Sequence, residues 1–457
     1  MKLSKYNLLV QSNDDDQYIL FNTFNGNCMM ISPNVAHAIE QNNLESLTKE
    51  DTELFTQTGV LIQNNVEEDK IYSYMHSREK HASTHLAATV LLTESCNLRC
   101  TYCFQGHDTP PMTMDVGQAD RFISFLTSSA KINGSKHVSV LLFGGEPLVN
   151  IEIGFHILSK VKEFCEQNEM VFSSSIITNG TLLNENIINK LHEFNCKMIQ
   201  VTLDGVKEIH DTRRMFANGK GSFDDTINAL KLLKDNGKIH TVVRVNIDKT
   251  NLQDTYQLLE YLGRSGIDLT KFTVDFGIVR GETSACAGYS SKCLSESEIG
   301  GVLYDLWNLA EKQGFKYKIR PMRKTMYCGL YSNNQFTVAP NCDVYKCWEH
   351  VGQKEHLMGR IDDNGNLSNL TYAFYDWMSV DPLKNEECSE CVYLPVCGGG
   401  CGVVSYNESG TYHSKGCFKI KGTVEKQVLK YVEDMTNANI DSQNNCTCEG
   451  GCGKSDS

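Results

Sequence analysis

The sequence lacks the features that would place this protein in a membrane, outside the cell or on nucleic acid. Its 457 residues contain no run approaching the roughly 18 apolar residues of a membrane-spanning helix. The N-terminus has a short apolar run and then an acidic cluster, without the apolar segment and cleavage site of a secretory signal. The net charge of -13 argues against a generic grip on nucleic acid, which needs a basic surface. We therefore expect a cytoplasmic protein with no membrane or nucleic-acid partner; its oligomeric state stays open.

Cysteine, in contrast, is abundant. The chain has 19 cysteines, and in a reducing compartment clustered thiols indicate metal or cluster ligands rather than disulfides. They form three groups: Cys96, Cys100 and Cys103; then eight between 328 and 417; then Cys446, Cys448 and Cys452. Cys165 and Cys196 lie in helix-like runs, where we expect them to be small buried hydrophobic residues.

An alternation of strand-like and helix-like runs dominates residues 88 to 280. Six apolar runs are separated by amphipathic ones, a pattern typical of a parallel sheet with its helices outside. Six units are too few for an eightfold barrel. We therefore predict an α/β fold whose centre, residues 86–285, is a partial (β/α)6 TIM-like barrel.

The flanking regions differ in composition from the barrel. Residues 1–80 suggest a hairpin around an Asn-Gly turn followed by helices, a small α+β, winged-helix-like module, with 71–85 as its connector. Residues 320–436 are rich in Cys and Gly and poor in aliphatic residues, so bound inorganic clusters would have to hold them together. Residues 437–457 are expected to be a flexible tail.

Polar or glycine-rich segments follow five of the six strands. They are the first cysteine group, GGEP at 144–147, TNG at 178–180, LDG at 203–205, and Asn246. Because the carboxyl ends of parallel strands carry functional groups at one edge of a sheet, we expect one site there.

Cys96, Cys100 and Cys103, which we call the cysteine triad, have the spacing C-x3-C-x2-C with an aromatic residue on each side of the last cysteine. This spacing resembles that of the radical S-adenosylmethionine (SAM) enzymes; a zinc knuckle is the alternative. The resemblance implies that three thiolates hold a [4Fe–4S] cluster whose fourth iron chelates SAM. An electron from a donor such as flavodoxin or ferredoxin would then cleave SAM to a 5′-deoxyadenosyl radical. Soft thiolates suit such clusters.

The same resemblance implies where SAM binds. GGEP resembles the family's SAM amino-group motif, TNG its polar strand-three tip near the ribose and carboxylate, and IHDTRR its HD-x-x-R segment, with Arg213 competing with Arg214 for the SAM carboxylate. The expected SAM-binding residues are Gly144, Gly145, Glu146, Thr178, Asn179, Asp204, Arg214 and Asn246. For Asp204, capping of the following turn is an equal alternative.

The later cysteines resemble the SPASM domain, which carries two auxiliary [4Fe–4S] clusters, so that three clusters are implied in all. Its C-x2-C-x5-C-x3-C segment is present, but Cys342 occupies the position of a usual glycine. By resemblance, Cys328, Cys347 and Cys401, with Cys342 as an optional ligand, would hold the first auxiliary cluster. Cys388, Cys391, Cys397 and Cys417 would hold the second. A zinc ribbon is the competing interpretation.

The architecture resembles that of ribosomal-peptide maturases, whose N-terminal module binds a leader peptide by adding a strand to a sheet edge; a plain cap on the barrel is the alternative. The leading hypothesis is a radical SAM enzyme that forms Cys thioether (sactionine-type) crosslinks in a precursor peptide. Formylglycine-generating sulfatase maturation comes second, and epimerisation or carbon–carbon crosslinking third. A non-catalytic zinc or cluster protein is the different-class alternative. Cys286 and Cys293 are either hydrogen-atom donors or bystanders.

Overall fold

A ten-stranded, mostly parallel sheet forms the centre of the molecule. The computed structural model describes residues 1–13, 16–106, 110–281, 284–316 and 319–446, with backbone alone over 284–287 and 438–446. The six predicted strands are present and pair in parallel, which confirms the α/β partial barrel. They are β6 (His85–Thr93), β8 (His137–Gly144), β9 (Val171–Thr178), β10 (Cys196–Thr202), β12 (His240–Ile247) and β13 (Phe272–Ile278). Two short strands in the connections, β7 (Leu98–Cys100) and β11 (Arg214–Phe216), pair with each other.

Helices cover the outer face of this sheet. Alternate residues of the strands are buried there against the helices, in one continuous apolar core. This core includes Cys165 and Cys196, whose burial was predicted, although Cys196 begins a strand and is not in a helix. The helices are α4 (Val116–Ile132), α5 (Ile151–Gln167), α6 (Glu185–Glu193), α7 (Lys207–Arg213), α8 (Phe223–Asn236), α9 (Leu252–Arg264) and α10 (Glu296–Lys312). Reciprocal side-chain caps begin α4 and α10, and Gly237 ends α8 in the left-handed conformation.

The N-terminal unit contains the predicted hairpin around Asn25 and Gly26. Its elements are β1 (Lys2–Leu3), β2 (Asn7–Gln11), β3 (Tyr18–Asn22), β4 (Cys28–Ile31), α1 (Pro33–Glu40), α2 (Lys49–Thr58), β5 (Leu61–Ile62) and α3 (Glu68–Lys80). Strands β2, β3 and β4 form an antiparallel sheet in that order. In the described residues β4 is an edge strand, since it pairs only with β3.

The predicted connector over 71–85 is wrong for most of its length, because α3 occupies residues up to Lys80. Tyr72, His76 and Lys80 are buried at a spacing of four residues, which places them on one side of the helix. Tyr72 and His76 both contact the carbonyl oxygen of Thr325, at 3.1 and 2.7 Å. Helix α3 therefore fixes the N-terminal unit to the C-terminal region.

The C-terminal region continues the barrel sheet. Strand β14 (Gln335–Val338) pairs in parallel with β6, and β15 (Asp343–Tyr345), β16 (Gly359–Ile361) and β17 (Leu367–Ser368) follow antiparallel. The helices are α11 (Tyr372–Met378), α12 (Glu386–Ser389), α13 (Leu394–Cys397), α14 (Gly402–Ser409) and α15 (Thr423–Cys446). Although this region is poor in aliphatic residues, it has an aromatic core in which Trp377, Tyr331 and Tyr412 are buried together. No helix in the described residues is long and apolar enough to cross a bilayer.

Candidate active site and cysteine groups

The cysteine triad lies in the connection that follows β6, at the carboxyl edge of the sheet. Cys100 is in β7 and pairs directly with Arg214 in β11, so the two predicted motifs are neighbours in space. Burial raises the pKa of the Cys100 thiol to about 12, whereas the charge of Arg214 lowers it. Cys96 accepts a hydrogen bond from the backbone N–H of Leu98 at 3.4 Å. Each interaction stabilises a thiolate, the form that binds iron.

The two glycines of GGEP bring β8 against the segment before the triad. A Cβ on Gly144 would lie 2.2 Å from the carbonyl oxygen of Thr93, and a Cβ on Gly145 2.4 Å from that of Glu94. The backbone N–H of Glu146 donates to the carbonyl of Ser95 at 2.9 Å. Only glycine fits at this distance, so the close approach fixes the position of the cysteine-bearing segment.

Glu146 joins the tips of β8 and β9. Its side chain is fully buried, and its carboxylate accepts from Thr178 Oγ1 at 2.7 Å, Asn179 N at 2.7 Å and Leu148 N at 2.9 Å. Burial raises the pKa of Glu146, while these hydrogen bonds act in the opposite direction. Two of the three bonds end on Oε1, which leaves Oε2 able to accept one more donor. The sequence-predicted Glu146, Thr178 and Asn179 are thus brought together.

Asp204 and Asn246 meet at Tyr102, a residue that is not among the expected SAM-binding residues. The fully buried carboxylate of Asp204 accepts from the backbone N–H of Asn246 at 2.9 Å and from the Tyr102 hydroxyl. That hydroxyl also accepts from Asn246 Nδ2 at 3.2 Å and from Arg214 Nη1 at 2.7 Å. The aromatic residue before Cys103 was the available signal for this role. Asp204 therefore supports the site rather than only capping a turn.

The structure distinguishes Arg214 from Arg213. Arg213 Nη1 forms an ion pair with Asp248 at 2.8 Å and bonds to Thr250 and Tyr289. Its Nη2 donates to the carbonyl of Asn246 at 3.3 Å, and its guanidinium lies 4.9 Å from the centroid of the Tyr102 ring. For Arg214, burial lowers the pKa, but Cys100, Tyr102 and Asp204 raise it further, and the net shift is well upward. Arg214 is thus held charged beside the triad.

The residues of this edge fit a cluster with bound SAM. The Nε atoms of Arg213 and Arg214 are buried donors for which no described residue supplies a partner, as an anionic ligand requires. No three His, Cys, Asp or Glu side chains in the described part of the chain converge to hold a single metal ion. The thiolates of a four-iron cluster bind different iron atoms and need not converge so closely.

Seven of the later cysteines fall into the two sets that the resemblance implied. Cys347 lies near Cys328 and Cys401: burial raises its pKa well above the ordinary value, with contributions from Glu349 and from those two thiols. We call these three the first C-terminal group. The second comprises Cys388, Cys391, Cys397 and Cys417, which are mutual neighbours; burial raises the pKa of Cys397 to about 12, with contributions from the other three.

Cys342 does not join either group, which corrects its assignment as a cluster ligand. Its thiol is fully buried in the barrel core and donates to the carbonyl oxygen of Gln118 in α4 at 3.5 Å. The backbone there has φ = 68°, the left-handed conformation of the glycine that it replaces. The turn between β14 and β15 therefore directs this side chain away from the cysteine ligands.

Among the described cysteines, Cys293 belongs to none of these groups. Cys293 packs with Tyr289 and Val279 against Tyr102 and Phe104, near the triad, and its thiol donates to the Tyr289 carbonyl at 3.6 Å. The side chains of Cys286, Cys446, Cys448 and Cys452 lie outside the described residues.

The N-terminal unit docks onto the loop of the second C-terminal group. Thr23 Oγ1 donates to the carbonyl of Val392 at 2.6 Å, and Lys5 Nζ to that of Ser389 at 2.7 Å. Residues of β2 and β3 share an apolar core with Cys397 and α15. No local pattern predicts this contact, since it joins segments almost four hundred residues apart.

Comparisons with known proteins agree with this geometry. The family model described as the radical SAM superfamily matches residues 90–262. The cysteine-type anaerobic sulfatase-maturating enzyme of Clostridium novyi is 26% identical over 366 residues, covering 74% of this chain and 94% of that enzyme. The antilisterial bacteriocin subtilosin biosynthesis protein AlbA of Bacillus subtilis is 25% identical over 342 residues, covering 72% of this chain and 70% of AlbA.

A solved structure extends the similarity of fold to more of the chain. Streptococcus suis SuiB, solved bound to the precursor peptide SuiA, has a TM-score of 0.53 at 16% identity and covers 91% of this chain and 98% of its own. With the cysteine triad and the GGEP contact on one edge of the partial barrel, the match over residues 90–262 shows that this chain is an enzyme with a radical SAM domain.

Proposed function

We propose that this enzyme matures a ribosomally made precursor peptide by forming Cys thioether crosslinks. The observation that carries the proposal is the N-terminal unit, whose β4 has an unpaired outer edge among the described residues and which docks on the loop of the second C-terminal group. An extended leader peptide can bind such an edge by adding a strand. SuiB, solved with a precursor peptide, shares the fold over 91% of this chain.

The chain's own residues supply the positioning for this chemistry. When bound, a [4Fe–4S] cluster with SAM supplies a 5′-deoxyadenosyl radical by one-electron cleavage of the sulfonium. The triad would hold that cluster, Arg214 the SAM carboxylate, and Glu146 Oε2 the SAM ammonium. Thr178 and Asn179 are kept in place by the same carboxylate.

Forming one thioether crosslink removes a hydrogen atom, a proton and an electron from the peptide, and each of them has an acceptor. One hydrogen atom leaves a carbon of the peptide and becomes part of 5′-deoxyadenosine. The carbon radical then binds a cysteine sulfur of the peptide; the thiol proton passes to solvent, and one electron is left over. The two C-terminal cysteine groups would hold auxiliary [4Fe–4S] clusters, and such clusters supply an acceptor for that electron.

Mass spectrometry of peptides coexpressed with the enzyme tests this function. The candidate substrates are short cysteine-containing peptides encoded beside its gene. Thioether formation removes two hydrogens per crosslink, which we expect for the wild-type enzyme and not for Cys103→Ala. An unchanged mass in ordinary water, with deuterium incorporated when heavy water is the solvent, would instead show epimerisation and overturn the proposal. Loss of two hydrogens with every cysteine thiol still open to alkylation would show carbon–carbon crosslinking and overturn it too.

Sulfatase maturation is the second candidate, and similarity over 94% of the length of the Clostridium novyi enzyme favours it. That reaction would convert a cysteine or serine of a sulfatase peptide into formylglycine. Incubating the enzyme with SAM, dithionite and such a peptide distinguishes the two, because an aldehyde captured by a hydrazide probe appears only on formylglycine formation.

A further inference from the structure

Arg280 lies where the barrel meets both C-terminal cysteine groups. It follows the last parallel strand, β13, at the carboxyl edge that also carries the triad. Its Nη1 donates to Cys401 Sγ at 3.7 Å, and its Nη2 forms an ion pair with Glu349. The guanidinium carbon is 4.6 Å from the ring centroid of Phe418, the residue after Cys417.

These contacts are largely removed from water. The side chains of Arg280 and Glu349 are only 15% and 19% exposed. Burial lowers the pKa of Arg280, but Glu349 and Cys401 raise it more, so the guanidinium stays charged. In such an environment a fixed charge acts strongly on its neighbours, because little solvent screens it.

Cys401 and Glu349, two side chains that Arg280 contacts, relate to different ligands of the first C-terminal group. Glu349 follows Cys347 by two residues, and both belong to the turn that carries that ligand. The cation therefore faces the sulfur of one ligand of the first group, while the anion sits beside another. An ion pair that served only to join barrel and C-terminal region would not need an N–H directed at a ligand sulfur.

We propose that Arg280 is a positioning residue that fixes Cys401 and raises the reduction potential of the first auxiliary cluster, and that Glu349 shifts this potential in the opposite direction. The proposal rests on the proposed function in one respect, the cluster held by Cys328, Cys347 and Cys401. Hydrogen bonds to cluster sulfurs and nearby positive charge stabilise the reduced, more negative cluster. Arg280 therefore raises the potential, and Glu349 lowers it.

An EPR-monitored redox titration of the anaerobically reconstituted enzyme tests this assignment. For Arg280→Gln we expect the reduction equilibrium of the first auxiliary cluster to become about tenfold less favourable, about 59 mV for a one-electron couple. Arg280→Lys, which keeps the charge but not the planar donor, should shift the potential less in the same direction. Glu349→Gln should shift it upward.

The control is Arg360→Gln in β16, which removes an arginine from the same region. Arg360 pairs with Asp343, its side chain is 55% exposed, and neither residue is a proposed ligand. In this variant the reduction potential of the first auxiliary cluster should match that of the wild-type enzyme. We expect the reduction potential to shift downward in Arg280→Gln and upward in Glu349→Gln. A general loss of structure would shift the potential of both variants in the same direction, so the opposite signs distinguish a direct electrostatic effect from structural damage. Shifts of one sign, or equal to the control, would overturn the assignment.

The iron content of Cys328→Ala separates failure of this inference from failure of the cluster assignment. Loss of the titrated signal together with iron shows that the first C-terminal group holds the cluster. If iron and signal are unchanged in that variant, the cluster assignment is wrong. If Cys328→Ala loses both iron and signal while the reduction potential of Arg280→Gln equals that of the wild-type enzyme, only the role of Arg280 is wrong.

Discussion

Replacing Gly145 by alanine should nearly abolish SAM cleavage while leaving the fold intact. The added Cβ would lie 2.4 Å from the carbonyl oxygen of Glu94 and 2.5 Å from that of Ser95, where real Cβ atoms essentially never come closer than 3.0 Å. The segment before Cys96 must therefore retreat by at least 0.6 Å, the difference between 3.0 and 2.4 Å. Both obstructing atoms are backbone, so no side chain can rotate away.

A displacement of this size at a reaction centre lowers the reaction rate strongly. Misplacement by roughly 1 Å can lower a rate by about 100-fold, and we expect a loss of that order in 5′-deoxyadenosine formation from SAM and dithionite. The assay needs no peptide substrate, so it reports on the triad and the SAM site alone. Iron content and circular dichroism, measured on the same samples, show whether the cluster and the fold survive.

Gly301→Ala is the matched control. Gly301 lies inside α10, and an added Cβ there meets no atom within 4 Å. The same chemical change should leave the rate unaltered and stabilise the helix slightly. Cleavage by Gly145→Ala within about threefold of this control would refute the close-approach argument, since threefold is under 1 kcal/mol.

Three further predictions concern the clusters and the buried histidines. Alanine at all three triad positions should abolish SAM cleavage and reduce iron from about twelve to about eight atoms per chain, measured colorimetrically, as three [4Fe–4S] clusters imply; surviving cleavage would contradict the assignment. Deleting residues 1–80 should abolish peptide binding and also release about four irons, because Lys5 and Thr23 hold the loop of the second C-terminal group; full iron retention would show that the unit merely rests there. Burial lowers the pKa of His350 to about 3, so as the pH falls below about 6.5 the unfolded state binds a proton that the folded state does not. The free energy of unfolding should therefore fall by about 1.7 kcal/mol in all between pH 6.5 and 5. Urea titrations should show a flatter pH dependence for His350→Phe, and an unchanged slope would exclude this histidine as the cause.

Local patterns were sufficient to predict the barrel. The six parallel strands and the helices α4, α5, α6, α8 and α9 are each specified by their own periodicity, and parallel pairing follows from the alternation. Asn133, Asn168 and Gly237 end three of those helices. The location of the site was predictable as well, because the carboxyl ends of the parallel strands lie at one edge of the sheet. Even the pairing of Arg214 with Cys100 joins two motifs that were each recognisable alone.

Contacts between distant segments were not predictable. Tyr102 became a hub because Asp204, Arg214 and Asn246 arrive at its hydroxyl from three different strand ends. Cys342 was misassigned because spacing counts residues and cannot show which way a left-handed turn directs a side chain.

By itself the sequence determined the class of chemistry, since three thiols in eight residues, GGEP and six strand–helix units each act locally. Only the tertiary structure decided which cysteines lie together, that the N-terminal unit docks on the second C-terminal group, and that Arg280 reaches Cys401. The physical reason is that thiolate grouping and charge placement depend on distances in space, and these depend on how the whole chain packs.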